Sequence, residues 1–66
     1  MSGGDGADIL TGGAGADIIL GYGAADTIGG NAGADSNTGG AGDDIITGGD
    51  GTDTFNVDSG TDTVND

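Results

Sequence analysis

Aspartate recurs every nine residues along this chain, at Asp8, Asp17, Asp26, Asp35, Asp44, Asp53 and Asp62, without a break. A fixed short period constrains the fold more than composition does. It marks a stack of equivalent units, each able to bury its apolar side only against its neighbours. Two consecutive units show the unit in full: Gly39-Gly40-Ala41-Gly42-Asp43-Asp44-Ile45-Ile46-Thr47, then Gly48-Gly49-Asp50-Gly51-Thr52-Asp53-Thr54-Phe55-Asn56. The pattern is Gly-Gly-x-Gly-x-Asp-x-apolar-x.

With the aspartate set at the sixth position, the register runs from Gly3 to Asn65 as seven repeats, leaving Met1-Ser2 as start residues ahead of a single domain over 3–65. Repeats one and two are intact: Gly3-Gly4-Asp5-Gly6-Ala7-Asp8-Ile9-Leu10-Thr11 and Gly12-Gly13-Ala14-Gly15-Ala16-Asp17-Ile18-Ile19-Leu20. Repeat three opens on Gly21 but carries Tyr22 and Ala24 where glycine is expected. Repeat four keeps Gly30 and Gly33, with Asn31 at the second position and Asn37 in the apolar slot. Repeat seven, Val57 to Asn65, lacks the leading Gly-Gly, as terminal repeats commonly do.

Each repeat divides into six turn-forming residues and three that suit a short strand. Glycine provides the positive-φ conformations a tight loop needs. Its recurrence leaves no room for a turn of helix. The middle strand residue faces one way and its neighbours the other. The inward set is therefore Leu10, Ile19, Ile28, Asn37, Ile46, Phe55 and Val64. Two repeats close one coil, so residues eighteen apart stack. One sheet receives Leu10, Ile28, Ile46 and Val64, and the other Ile19, Asn37 and Phe55. Asn37 is the flaw, because a buried amide without partners costs about 1–3 kcal/mol.

Charge then decides what must hold the stack together. The chain has twelve aspartates, no Lys, Arg, His or Cys, a formal charge of −12, eighteen glycines, and one Phe and one Tyr as its only aromatics. A chain so glycine-rich and one-signed, with so little apolar bulk, needs an outside stabiliser. Disulfides and thiolate metal sites are excluded. Stacked strands lie about 4.8 Å apart. Asp8 and Asp26, Asp17 and Asp35, Asp26 and Asp44, Asp35 and Asp53, and Asp44 and Asp62 are thus expected one above the other. Carboxylates at that spacing repel by roughly 1 kcal/mol in water and more at a protein surface. A divalent cation in each gap reverses the sign. All-oxygen ligands select Ca²⁺ over Mg²⁺, which dehydrates reluctantly and demands strict octahedral geometry. Loop carbonyls must complete the coordination, so the loop glycines named above join the seven aspartates as candidate site residues. Five gaps allow up to five ions, which would bring −12 to −2. The gaps beside Tyr22, Ala24, Asn31 and Val57-Asp58 are expected to be the weaker ones.

From Gly3 to Asn65 the repeats resemble the RTX (repeats-in-toxin) family, and their motif is a recognised signature of calcium-binding parallel β-helices. The resemblance implies an all-β, right-handed parallel β-roll with two nonapeptide repeats per turn and calcium between turns. It also implies a chain that is disordered without calcium, folds with it, and belongs to bacterial proteins secreted by the type I route.

Other functions find little footing. Nucleic acid and anionic membrane repel this surface. No stretch has the length or apolarity of a membrane span, and no basic-then-apolar signal peptide opens the chain. An EF-hand needs a Glu, a P-loop needs a Lys, and neither residue occurs. Without His, Cys, Lys or Glu no nucleophile has a conventional base, and a column of equivalent aspartates offers no pair with divergent pKa values. The reading is therefore not an enzyme. Asp5, Asp43, Asp50, Asp58 and Asp66 read as solvated, Tyr22 as a surface loop residue and Phe55 as core. Two alternatives remain. Outward Thr11, Thr27, Ser36, Thr38, Thr47 and Thr54 form rows suited to an ice- or surface-binding solenoid, although Ile9, Ile18, Leu20, Gly29 and Ile45 interrupt them. Open strand edges would permit calcium-dependent end-to-end self-association.

Overall fold

The computed structural model describes residues 1–65. Eight short strands follow one another: β1 (Ser2–Gly4), β2 (Ile9–Gly13), β3 (Ile18–Tyr22), β4 (Thr27–Asn31), β5 (Ser36–Thr38), β6 (Ile45–Thr47), β7 (Thr54–Asn56) and β8 (Thr63–Asn65). Successive strands alternate between two sheets, ordered β1-β3-β5-β7 and β2-β4-β6-β8. Every pairing is parallel. This is a β-solenoid of about four turns, with two repeats to each turn.

The eighteen-residue stacking holds in both sheets. Leu10 sits opposite Ile28, Ile28 opposite Ile46, and Ile46 opposite Val64. Ile19 pairs with Asn37 and Asn37 with Phe55. A one-residue slip would turn the isoleucines to solvent, so the apolar residue at position eight fixes the register. The ladder restarts just after each aspartate. The amides of Thr27, Ser36, Ile45, Thr54 and Thr63 donate to the carbonyls of Asp8, Asp17, Asp26, Asp35 and Asp44, each at 2.8 Å.

The molecule measures 26 × 18 × 12 Å. Sheets pack about 10 Å apart, so the thinnest dimension admits one layer of side chains. That layer is Leu10, Ile19, Ile28 and Ile46, all buried, with Phe55 packed against them. Val64 belongs to the inward set by register but is exposed, since turns stack on one side of it only among the described residues.

Two features depart from the repeat division. The three-residue strand holds for β5 to β8, whereas β2, β3 and β4 run to five residues and take in the next repeat's first two positions. Gly13 pairs with Asn31, continuing the ladder into what the sequence reads as turn. The pairing persists there although both Gly13 and Asn31 take positive φ. The second feature is β1, where Ser2 faces Leu20, Gly4 faces Tyr22, and the Met1 ammonium donates to Ile18 O at 2.6 Å.

Candidate metal centres

The loops place the sixth-position aspartates in two columns. Asp8, Asp26, Asp44 and Asp62 stack along one edge, and Asp17, Asp35 and Asp53 along the other. Each step is made by one hydrogen bond from a main-chain amide to the carboxylate one turn later. Asp8 N donates to Asp26 Oδ1, Asp26 N to Asp44 Oδ1, and Asp44 N to Asp62 Oδ1, each at 2.8 Å. Along the other edge, Asp17 N donates to Asp35 Oδ1 and Asp35 N to Asp53 Oδ1, both at 2.9 Å. The five expected aspartate pairs are thus all stacked.

Five carboxylates, those of Asp26, Asp35, Asp44, Asp53 and Asp62, use one oxygen each this way. The Oδ2 atoms of Asp8, Asp17, Asp26, Asp35, Asp44, Asp53 and Asp62 are buried with no hydrogen-bond partner. Asp26, Asp35 and Asp44 are buried as whole residues. A buried charged oxygen left unpaired costs more than the 1–3 kcal/mol or so of a neutral group. Burial pushes the Asp44 carboxyl above its ordinary 3.8. The Asp26 amide lowers it in opposition, and the Asp62 and Asp26 charges add to the rise.

First-position glycines make room for these oxygens. Gly3, Gly12, Gly21, Gly30, Gly39 and Gly48 each lie against the Oδ2 of the aspartate in their own repeat. A Cβ on Gly12 would stand 2.7 Å from Asp17 Oδ2 and 3.0 Å from Gly30 O. The motif's first Gly is therefore the space into which the aspartate folds.

Second- and fourth-position residues set the loop's curvature. Gly4, Gly13, Gly40 and Gly49 at the second position take positive φ, as do Gly15, Gly33, Gly42 and Gly51 at the fourth. Gly6 is the exception among the glycines at these two positions. Tyr22, Ala24 and Asn31 adopt the same left-handed conformation, at φ of 74°, 70° and 74°. The third and fourth loops therefore keep their shape, and their carbonyls keep their direction. Ala24 O faces Gly42 just as Gly15 O faces Gly33 and Gly33 O faces Gly51. These fourth-position carbonyls carry no backbone hydrogen bond among the described residues.

The free groups at each edge are thus carboxylate Oδ2 atoms and fourth-position carbonyls, all hard oxygens. They suit Ca²⁺, which takes 6–8 such ligands in tolerant geometry. Among the described residues no group of three or more acidic side chains is placed to hold an ion.

Asp43 is exposed, as expected of a solvated residue, and also makes a structural bond. Its Oδ1 accepts from Thr61 N at 2.8 Å, anchoring the repeat that lacks Gly-Gly. Position five of one turn stacks on position five of the next, a relation visible in the period. Asp66 lies outside the described residues.

Comparison with curated proteins finds no match, and comparison with solved structures finds none either. The family model for the RTX calcium-binding nonapeptide repeat matches four copies over residues 2–36 and 38–64. That family is one of structural repeats rather than enzymes. With its nine-residue register, parallel two-sheet solenoid and columns of unpaired carboxylate oxygens, the chain belongs to the RTX calcium-binding nonapeptide repeat family.

Proposed function

We propose that this chain is a calcium-responsive folding module that is disordered where calcium is scarce and closes into its solenoid where calcium is abundant. One observation carries the reading: seven buried carboxylate oxygens without partners, repeated at every turn. Each Oδ2, with the facing fourth-position carbonyls, forms an anionic gap that would hold Ca²⁺, up to five in all. Bound there, the cation supplies the positive charge that the chain entirely lacks in its side chains. The first-position glycines admit the carboxylate, and the Oδ1-to-amide bonds orient it. Free energy of binding at sites absent from the unfolded chain appears directly as folding free energy.

RTX repeats are typical of secreted bacterial proteins, and we place the folded form outside the cell, where calcium is plentiful. The ice-binding alternative gains no support, since Ile9 and Ile18 stand 82% and 66% exposed within the threonine rows. Circular dichroism with chelator and then with millimolar Ca²⁺ tests the proposal. A β-type signal should grow with calcium, and magnesium at equal concentration should do much less. A spectrum indifferent to calcium would refute it.

A further inference from the structure

We infer that the central turn, residues 21–38, sets the calcium concentration at which the whole solenoid folds; this rests on the calcium-driven folding proposed above. Two kinds of unfavourable local structure are concentrated there. The first is conformational. Tyr22, Ala24 and Asn31 are the only non-glycine residues with positive φ among those described, and all three lie in this turn. Side chains other than Gly, Asn and Asp resist the left-handed region because Cβ approaches the following carbonyl. Tyr22 and Ala24 bear that strain most directly. The second is in the core. Asn37 is fully buried, stacked between Ile19 and Phe55, and neither its Oδ1 nor its Nδ2 has a partner.

The topology prevents the rest of the molecule from avoiding this turn. Its strands are β4 and β5: β4 joins β2 to β6, and β5 joins β3 to β7. Removing them separates Leu10 from Ile46 and leaves neither side with a continuous core. In a stack where each unit touches only its neighbours, a weak central unit is felt by the whole. The carboxylate columns show the same dependence. Asp26 and Asp35 belong to this turn, so the gaps 8/26, 26/44, 17/35 and 35/53 exist only when it is ordered. The gap 44/62 alone does not need it. Four of five cation positions thus contribute only after the turn's cost has been met. Cation binding and closure of residues 21–38 become one event, and the concentration needed for it is governed by Tyr22, Ala24 and Asn37.

The test is a calcium titration of the full chain followed by circular dichroism, for the unsubstituted protein, Asn37→Val and Ala24→Gly. Val removes the orphaned amide and puts an apolar, strand-favouring residue of similar size in its place. Gly removes the Cβ from a left-handed position. The Asn37→Val midpoint should fall about two-fold. Across five cooperative sites that corresponds to about 2 kcal/mol at 1.4 kcal/mol per ten-fold change. Ala24→Gly, which leaves the core untouched, should also shift the midpoint downward. Transitions coinciding with that of the unsubstituted chain in both variants would overturn this inference while leaving calcium-driven folding standing. Absence of any transition in the unsubstituted chain would overturn both.

Discussion

The main-chain amide of Asp26 donates to Oδ1 of Asp44 at 2.8 Å, while Asp44 Oδ2 lies buried without a partner. One side chain thus has two separable oxygens, one building the column and the other, packed against Gly39, without a partner and proposed above as a cation ligand. Asp44→Asn should divide them, because an amide oxygen can still accept from Asp26 while the charge is gone. We expect calcium bound per chain to fall by up to two ions, those of gaps 26/44 and 44/62, with the solenoid still forming at higher calcium. Asp44→Ala should do worse, since it also strips the Asp26 amide of its acceptor, at about 1–3 kcal/mol. Calorimetric stoichiometry for the two variants distinguishes them.

Glycines in this chain are not equivalent. A Cβ on Gly39 would collide with Asp44 Oδ2, whereas one on Gly29 would meet nothing within 4 Å. Gly39→Ala should destabilise the calcium-loaded form by about 1–3 kcal/mol, a drop in Tm of about 5–20 °C for a domain of this size. Gly29→Ala, in β4 with an open outer face, should change Tm little or raise it slightly. Thermal melts in saturating calcium decide the pair.

Stability without metal should run opposite to the usual acid denaturation. Burial holds the folded Asp44 carboxyl above its ordinary 3.8. The folded form therefore takes up a proton more readily than the unfolded chain. That contribution is complete below the unfolded value and is lost as pH rises through the folded one. In chelator, acidification into the carboxylate range should increase ordered structure, and neutral pH should abolish it. In calcium the same acidification should weaken the fold, because protons compete for the ligand oxygens. Dichroism against pH, with and without metal, reads both signs.

The bond from Thr61 N to Asp43 Oδ1 is exposed and ties down the repeat that lacks its glycines. Asp43→Ala should speed amide exchange at Thr61 and through β8 while leaving β2 to β6 protected. The cost to global stability should stay under about 1 kcal/mol, as for most exposed hydrogen bonds.

Much of this was legible from the period alone. Nine-residue spacing dictates which residues stack, so Leu10 on Ile28 and Asn37 between Ile19 and Phe55 follow from counting. The unpartnered Asn37 amide follows too, because position eight faces a core without donors or acceptors. What counting could not supply was the division of labour within each carboxylate. That depends on the side chain folding back over its own first glycine, which residue spacing does not specify. Nor did the motif show that Tyr22, Ala24 and Asn31 would keep the glycine conformation. Spacing gives identity at a position, whereas here the stacked loops above and below impose the backbone angle. The five-residue β2 to β4 were hidden for a similar reason, since the first two positions of a repeat read as turn until a neighbouring strand pairs with them.

Small-angle scattering of the chain in chelator and in millimolar Ca²⁺ tests most directly whether cations are what close this solenoid. The folded form has a Cα radius of gyration of 10.2 Å, and an unfolded chain of this length should reach about 25 Å. Collapse from near the larger value to near the smaller on adding calcium, reversed by chelation, is the expected result. A metal-free chain already compact at neutral pH would contradict it.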